Sequence, residues 1–498
     1  MTVTLLEGAV ASLLAGALTS LALARRRRAS GWVSVAFVSL AAVLLWWAAI
    51  RVFIGAAGAE RTLLAIPAVH AALAIRVDAL GAIFLAIIAT IAVPATLFSV
   101  HYMDRFAGDT VAKYYPVLLV LFAGIVGVVT TADFLFFLVF WELMTLASFF
   151  LVAFERESRE AQRAALEYFV VNQAAALGML AAALVLWRTG GSFHFDAFRD
   201  ALGTLLAGTP WLGHLVLLLL FLGFTTKGGV LPMGSWLANA YPAAPTPATA
   251  AFSGMMTKLG IYGLLRVFLH LLPLSPATTA WGVIIAIAGV GSLFVGTLTA
   301  LRQDDAKKLM SFHVIGQMGY MLLGVGAGLA LLRTDPLIAT LALLGGVFHM
   351  INNSLYKSGL FLSAGALEYR VGTRSLAALP GGLGAFMAGT AACTLIAALA
   401  IAGVPPLNGF ASKWLLYASG ILGSRIAWLL AVAVLVALFI SLATLASFLK
   451  YMGGAFLGVP RPGLAPREVP ASMLAPQVLL AALCVLFGLV PMLPLHYV

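Results

Sequence analysis

Leu343-Leu-Gly-Gly-Val-Phe-His349-Met-Ile-Asn-Asn353-Ser-Leu-Tyr-Lys357-Ser-Gly-Leu-Phe-Leu362 is the run from which the class of the whole chain can be read. It belongs to an apolar segment over 337–365, and a helix needs only about 20 such residues to cross a bilayer. His349, Asn353 and Lys357 fall at i, i+4 and i+8 and so share one helix face, with Asn352 beside them. A charge at the centre of a span costs roughly 2.5–3.5 kcal/mol. A polar stripe ending in a lysine therefore calls for protein around it, inside a bundle of further helices.

The rest of the chain supplies that bundle. The 498 residues are 62% hydrophobic and only 9% charged, with a mean hydropathy of +1.06. A soluble domain carries about 25% charged residues. About fourteen apolar runs recur, at 3–24, 32–54, 78–99, 114–131, 132–153, 165–187, 212–231, 247–270, 279–300, 308–331, 337–365, 386–417, 426–453 and 474–494. The predicted fold class is an all-α polytopic membrane protein. The first run is long and precedes its arginines, so it reads as a span and not as a cleaved leader.

The net charge of +11 does not point to nucleic acid, because the 29 Lys and Arg are sorted by side. With the Arg25–Arg28 loop taken as cytoplasmic, seventeen fall on that side, Lys307 and Arg461 among them, and eight on the other, Arg266 among them. This is the positive-inside bias, and with an even number of spans it puts both termini on the periplasmic side of a bacterial inner membrane. Cys393 and Cys484 both sit in apolar runs. Two cysteines are too few for an iron–sulfur cluster or a zinc site of cysteines. No P-loop or strand-bound Gly-x-Gly-x-x-Gly is present. Redox chemistry is therefore expected outside this chain, which has no expected metal or cofactor of its own.

The polar stretches are 55–77, 188–211 and 454–473; the first alternates weakly and predicts an outer-face hairpin, the last a loop rich in Pro and Gly. Two pairs of segments resemble each other. Lys227-Gly-Gly-Val-Leu-Pro-Met-Gly-Ser-Trp236 matches Ala402-Gly-Val-Pro-Pro-Leu-Asn-Gly-Phe410, and Tyr168-Phe-Val-Val-Asn-Gln173 matches Phe348-His-Met-Ile-Asn-Asn353. Each unit holds five predicted helices, and an odd number makes the second copy inverted, a known transporter design. The expected organisation is 1–113, three helices with the outer loop; 114–275, a first five-helix repeat; 276–455, its inverted partner; and 456–498, a loop and a last helix. Pro232, Pro405 and Pro406 break the seventh and twelfth spans, so these are the expected discontinuous helices.

Each ionisable residue deep in a span needs an account. Glu142 is near the middle of the fifth, as a proton site or the counter-ion of a lysine; Asp133 at that helix's end reads as a cap. Lys227 directly precedes the first break. An amine kept from water can release and regain a proton at working pH. Lys258 is in the middle of the eighth span, His313 in the tenth, His349 and Lys357 in the eleventh, and Lys413 just past the second break. Histidine titrates near neutral pH and suits a relay, although a lone buried histidine is more often structural and a lysine near a helix end more often snorkels.

At these residues the chain resembles the antiporter-like subunits shared by respiratory complex I, multi-subunit sodium/proton antiporters and membrane-bound hydrogenases. The resemblance runs nearly the whole length. It is carried by Phe140-Trp-Glu142-Leu-Met-Thr-Leu-Ala-Ser-Phe-Phe-Leu-Val152, Tyr241-Pro-Ala-Ala-Pro-Thr-Pro-Ala-Thr-Ala250, Leu343–Leu362 and Val404-Pro-Pro-Leu-Asn-Gly-Phe410. The nearest branch is that of hydrogenase-4 component B and the formate hydrogenlyase membrane subunit. The resemblance implies two inverted five-helix repeats in fourteen helices, and proton-translocating roles for Glu142, Lys227, Lys258, His349, Lys357 and Lys413. The sequence ends soon after the fourteenth run, so the long lateral helix of the largest complex I relative is not expected. Asn353 stands where a second histidine is common and Gln317 where some relatives have histidine; His313, one turn earlier, could substitute. Lys413 stands where hydrogenase-type relatives carry glutamate.

The expected partners are other membrane subunits and a peripheral redox arm holding iron–sulfur clusters, with or without a nickel–iron centre. The expected function is proton movement through half-channels in a redox-driven complex. A sodium/proton antiporter subunit without a redox partner, a proton-driven uptake module and a structural membrane anchor stay open beside it.

Overall fold

The structure is a computed structural model that describes residues 1–56, 60–106, 110–459 and 466–498. Arg461 and the centre of the 454–473 loop lie outside them. Its elements are α1 (Thr2–Ala22), α2 (Arg27–Phe53), β1 (Arg61–Ile66), β2 (Ala71–Ile75), α3 (Ala79–Tyr102), α4 (Tyr115–Thr130), α5 (Phe134–Val152), α6 (Arg159–Gly190), α7 (Phe195–Gly208), α8 (Pro210–Gly228), α9 (Leu237–Ala243), α10 (Thr246–Ala251), α11 (Lys258–Leu264), α12 (Pro276–Leu301), α13 (Ala306–Leu331), α14 (Pro336–Val371), α15 (Ala388–Ala402), α16 (Asn408–Gly423), α17 (Leu429–Ala455), α18 (Ala471–Leu489) and α19 (Met492–Leu495). Among the described residues, twelve helices are long and apolar enough to cross a membrane. The other two sequence-predicted spans are less regular. One is α10 and α11 joined and followed by π-helical turns, Phe252–Met256 and Leu265–Leu271. The other is the pair α15 and α16 on either side of a break.

Local chemistry sets the helix ends. Asp133 accepts from the N–H groups of Leu135 and Phe136 at 2.8 and 3.1 Å and starts α5, and Asp335, followed by Pro336, starts α14 in the same way. Each satisfies donors that a helix N-terminus leaves free. β1 and β2 form an antiparallel hairpin within 55–77, fixed to the bundle where Ala72 N donates to the second oxygen of Asp133 at 3.0 Å. The polar stretch 188–211 contains α7, which buries Phe195, Phe198, Leu202 and Leu205.

α13 is the central post: 94% of its apolar window is buried, against 33% for α6 and α17. Gly289 on α12 and Gly319 on α13 lie backbone to backbone, each leaving no room for a Cβ on the other. Small residues at such contacts give helices van der Waals packing that does not depend on water. The outer surface carries Leu14, Leu18, Trp47, Leu177, Leu435 and Leu442, all exposed, as a lipid-facing belt requires.

Both expected breaks are present. α8 ends at Gly228, and Gly229 follows with φ +76° before the chain turns into α9; α15 ends before Gly403, φ +84°, and the chain turns into α16. Positive φ suits glycine, and at Gly403 a side chain would also strike the stem of Lys413.

A buried polar site across the bundle

Lys227, Lys258, His313, His349, Lys357 and Lys413 are all buried. They fall into a first cluster, a central run and two side branches.

The first cluster is built on α5, α6 and α8. Lys227 Nζ donates to Thr145 Oγ1 at 2.8 Å and to the Tyr168 hydroxyl at 2.9 Å, and it lies over the Trp141 and Tyr168 rings. The Tyr168 hydroxyl also meets Ser148 Oγ at 2.5 Å. Glu142, one turn before Thr145, accepts from Gln173 Nε2 at 2.6 Å, while its other carboxylate oxygen is buried without a partner among the described residues. The expected Glu142–Lys227 pair is thus not a contact ion pair: among the described residues none forms within 4 Å, and Thr145 and Tyr168 hold the lysine instead. Glu142 is only half-buried. Val139, Leu146 and Phe150, on the same face, are exposed.

The central run joins α11, α13, α14 and α16. Lys258 Nζ donates to Asn353 Oδ1 at 2.6 Å and to the Ser253 carbonyl at 2.5 Å, in the π turn just before it. Asn353 Nδ2 donates to the Tyr356 hydroxyl at 3.3 Å. That hydroxyl meets Gln317 Oε1 at 3.2 Å and His349 Nε2 at 3.3 Å, and His349 Nδ1 meets Ser412 Oγ at 3.0 Å. Ser412 adjoins Lys413 in the chain. Lys413 Nζ donates to the carbonyls of Ile401 and Ala402 at 3.0 and 3.2 Å and to Ser441 Oγ at 2.9 Å. Those carbonyls end α15, where helix C-termini attract cations. Ser441 Oγ in turn meets the Tyr320 and Tyr417 hydroxyls, each at 2.7 Å.

Lys357 and His313 stand to the side. Lys357 Nζ donates to the Met310 carbonyl at 2.5 Å, over the Phe361 ring. His313 Nε2 meets Ser447 Oγ at 2.8 Å, and its Nδ1 is buried without a partner among the described residues. Neither joins the run through a side-chain hydrogen bond, and none links the Lys227 cluster to Lys258 among the described residues.

The sequence reading missed several polar residues of the interior. Tyr168, Tyr320, Tyr356, Gln173 and Ser441 carry no charge to mark them, although Tyr168 and Gln173 lie in the segment singled out for its similarity to 348–353. By sequence Lys307 and Arg266 sort with the loops. Lys307 is buried, donating to the Pro242 and Ala244 carbonyls at 3.1 and 2.5 Å. Arg266 is buried against Asp78 in a bidentate pair. Glu368, near the end of α14, accepts from the Tyr102 hydroxyl at 2.8 Å and from Thr246 Oγ1 at 3.2 Å. Among the described residues no group of three or more His, Cys, Asp or Glu could hold a metal ion.

The family described as NADH:quinone oxidoreductase/Mrp antiporter, transmembrane, matches residues 131–441. Hydrogenase-4 component B of Escherichia coli (strain K12) is 36% identical over 434 residues, 85% of this chain and 63% of that protein. The chain thus spans somewhat less than two thirds of that relative's length. Formate hydrogenlyase subunit 3 of the same organism is 29% identical over 504 residues, 99% of this chain and 79% of that protein. Among solved structures, a chain of the Mrp complex from Dietzia sp. DQ12-45-1b superposes with a TM-score of 0.84 at 24% identity, covering 99% of this chain and 96% of that one. That likeness bears on the fold alone.

Proposed function

The chain belongs to the NADH:quinone oxidoreductase/Mrp antiporter transmembrane family, and we propose that it is a proton-translocating, antiporter-like subunit of a redox-driven membrane complex such as a membrane-bound hydrogenase, a formate hydrogenlyase or a complex I-like assembly. The observation that carries this reading is the unbroken hydrogen-bonded run Lys258–Asn353–Tyr356–His349–Ser412, which lies wholly inside a multi-pass membrane protein. Amide, hydroxyl and imidazole groups can each donate and accept, and buried ionisable groups in a bundle mark ion pathways and proton relays. Glu142, Lys227, Lys258, His349, Lys357 and Lys413 are the proposed translocating groups, with His313 in a side position.

Two inverted five-helix units, 114–275 and 276–455, fit the two breaks, each opened by a glycine at positive φ. The sidedness of the basic loops favours periplasmic termini in a bacterial plasma membrane. Partner subunits are supported by the relatives, one a component of hydrogenase-4 and one a subunit of formate hydrogenlyase. Iron–sulfur and nickel–iron centres, in this reading, belong to those partners.

A second reading, a subunit of a multi-subunit sodium/proton antiporter, is favoured by Lys413 standing where the hydrogenase branch carries glutamate. Purifying the chain with its native partners separates the two: redox subunits with metal clusters favour the first, small membrane subunits alone the second. In either complex, reconstituted into liposomes, Lys258→Ala is expected to stop proton uptake while assembly persists. Undiminished uptake would leave only a structural anchor.

A further inference from the structure

The first cluster and the central run approach each other at one group that neither uses. Tyr241, in α9 just past the first break, is fully buried, and among the described residues its hydroxyl has no hydrogen-bond partner. Burying a hydroxyl without a partner costs stability, since water is given up and nothing is regained. The ring is fixed by Trp236, Phe252 and Phe361, at centroid distances of 6.2, 5.8 and 5.9 Å.

The surroundings of that ring are specific. Trp236 also packs on Tyr168, the ring whose hydroxyl receives Lys227. Phe252, which packs on the Tyr241 ring, offers its carbonyl to Thr257 Oγ1 at 3.4 Å, so Thr257 stands on the Lys258 side of that ring. Thr257 precedes Lys258, and both donate to the same Ser253 carbonyl. On the third side Phe361 carries Lys357 over its face. Through Trp236, Phe252 and Phe361 the Tyr241 ring thus adjoins the surroundings of Lys227, Lys258 and Lys357, which no side-chain hydrogen bond joins to one another among the described residues.

We propose that the Tyr241 hydroxyl is the relay between Lys227 and Lys258, a role that rests on the translocation reading above. The oxygen accepts a proton from the Lys227–Tyr168 side as its own proton leaves toward Thr257 and Lys258. One O–H bond forms as another breaks, and the phenol ends neutral with its proton exchanged. A phenol hydroxyl both donates and accepts and rotates about its C–O bond, so it can turn to either side.

The test uses the complex with its native partners, in liposomes loaded with a pH-sensitive dye, with a potassium diffusion potential driving proton entry. Tyr241→Phe keeps the ring and removes only the oxygen. Proton entry is expected to fall on the order of tenfold, the rate factor that one lost hydrogen-bonding hydroxyl corresponds to, with assembly intact and a melting temperature no lower than that of the parent. Thr257→Val, which removes the Thr257 hydroxyl with little change of shape, should give the same loss and decides the matter if Tyr241→Phe does not assemble. Unchanged flux in Tyr241→Phe, with Lys227→Ala and Lys258→Ala both inactive, would overturn the relay and leave the translocation reading standing. A loss of flux that only tracks a lowered melting temperature would overturn it as well. Full flux in the two lysine variants would instead sink the translocation reading itself.

Discussion

Lys227 and Lys413 each lie beside a broken helix, yet their ammonium groups are held in different ways. Lys227 Nζ is held by two side-chain hydroxyls, Thr145 and Tyr168. Lys413 Nζ is held mainly by two backbone carbonyls at the end of α15, with one hydroxyl, Ser441. A carbonyl only accepts, so it can orient an amine but not pass a proton on; a hydroxyl does both. The first lysine thus has two outlets through side chains and the second has one. They also lie on opposite sides of their breaks, Lys227 one residue before Gly228 and Lys413 ten residues after Gly403.

The contrast can be broken at its strongest point first. Lys227→Ala is expected to lower proton flux by about 10²-fold or more, the scale of losing a positioned proton-transfer group, as read by dye fluorescence in proteoliposomes. Thr145→Val and Ser441→Ala sharpen the comparison. Each removes one hydroxyl, but Lys227 keeps only Tyr168 whereas Lys413 keeps two carbonyls. If hydroxyls conduct and carbonyls anchor, both variants lose flux, each on the order of tenfold for one lost hydrogen bond, and only Ser441→Ala keeps its lysine ordered in a density map. Asn353→Leu cuts the run between Lys258 and Tyr356 and should cost about as much, with the Lys227 cluster undisturbed.

The smallest expected effect on flux is at the Asp78–Arg266 pair. Asp78→Asn removes the partner of buried Arg266 and should lower stability by about 1–3 kcal/mol, a buried-pair loss discounted because Asp78 is partly open to water, while flux per assembled complex stays near normal. Burial opposes ionisation of Asp78, but the Arg266 guanidinium outweighs it and holds the carboxyl down at about 2. The pair's contribution is therefore present above the ordinary carboxylate range near 4 and is lost as pH falls toward 2. A melting-temperature series over that window, with and without Asp78→Asn, checks the sign.

Hydropathy made the spans legible, and glycine and proline made both breaks legible, because each acts on the backbone whatever surrounds it. The charged members of the site were legible for a related reason: an amine or carboxylate in an apolar run is costly wherever it points. Tyr168, Tyr241, Tyr320 and Tyr356 were not, since a tyrosine is at home in an apolar helix and only its neighbours reveal whether the hydroxyl is used. Lys307 misled in the opposite direction. It sits in the first turn of α13, where a cation normally reaches water, but its side chain turns inward to the carbonyls at the end of α9. The π turns around Lys258 have no sequence signature comparable to a proline, and such turns often mark functional sites.

The most direct test of buried lysines as proton carriers compares Lys227→Ala with the parent complex in proteoliposomes under an imposed potassium diffusion potential, scoring proton entry per assembled complex. Entry is expected to disappear from the variant while its subunit composition and melting temperature stay those of the parent. Proton entry at the parent rate through a correctly assembled Lys227→Ala complex would contradict it.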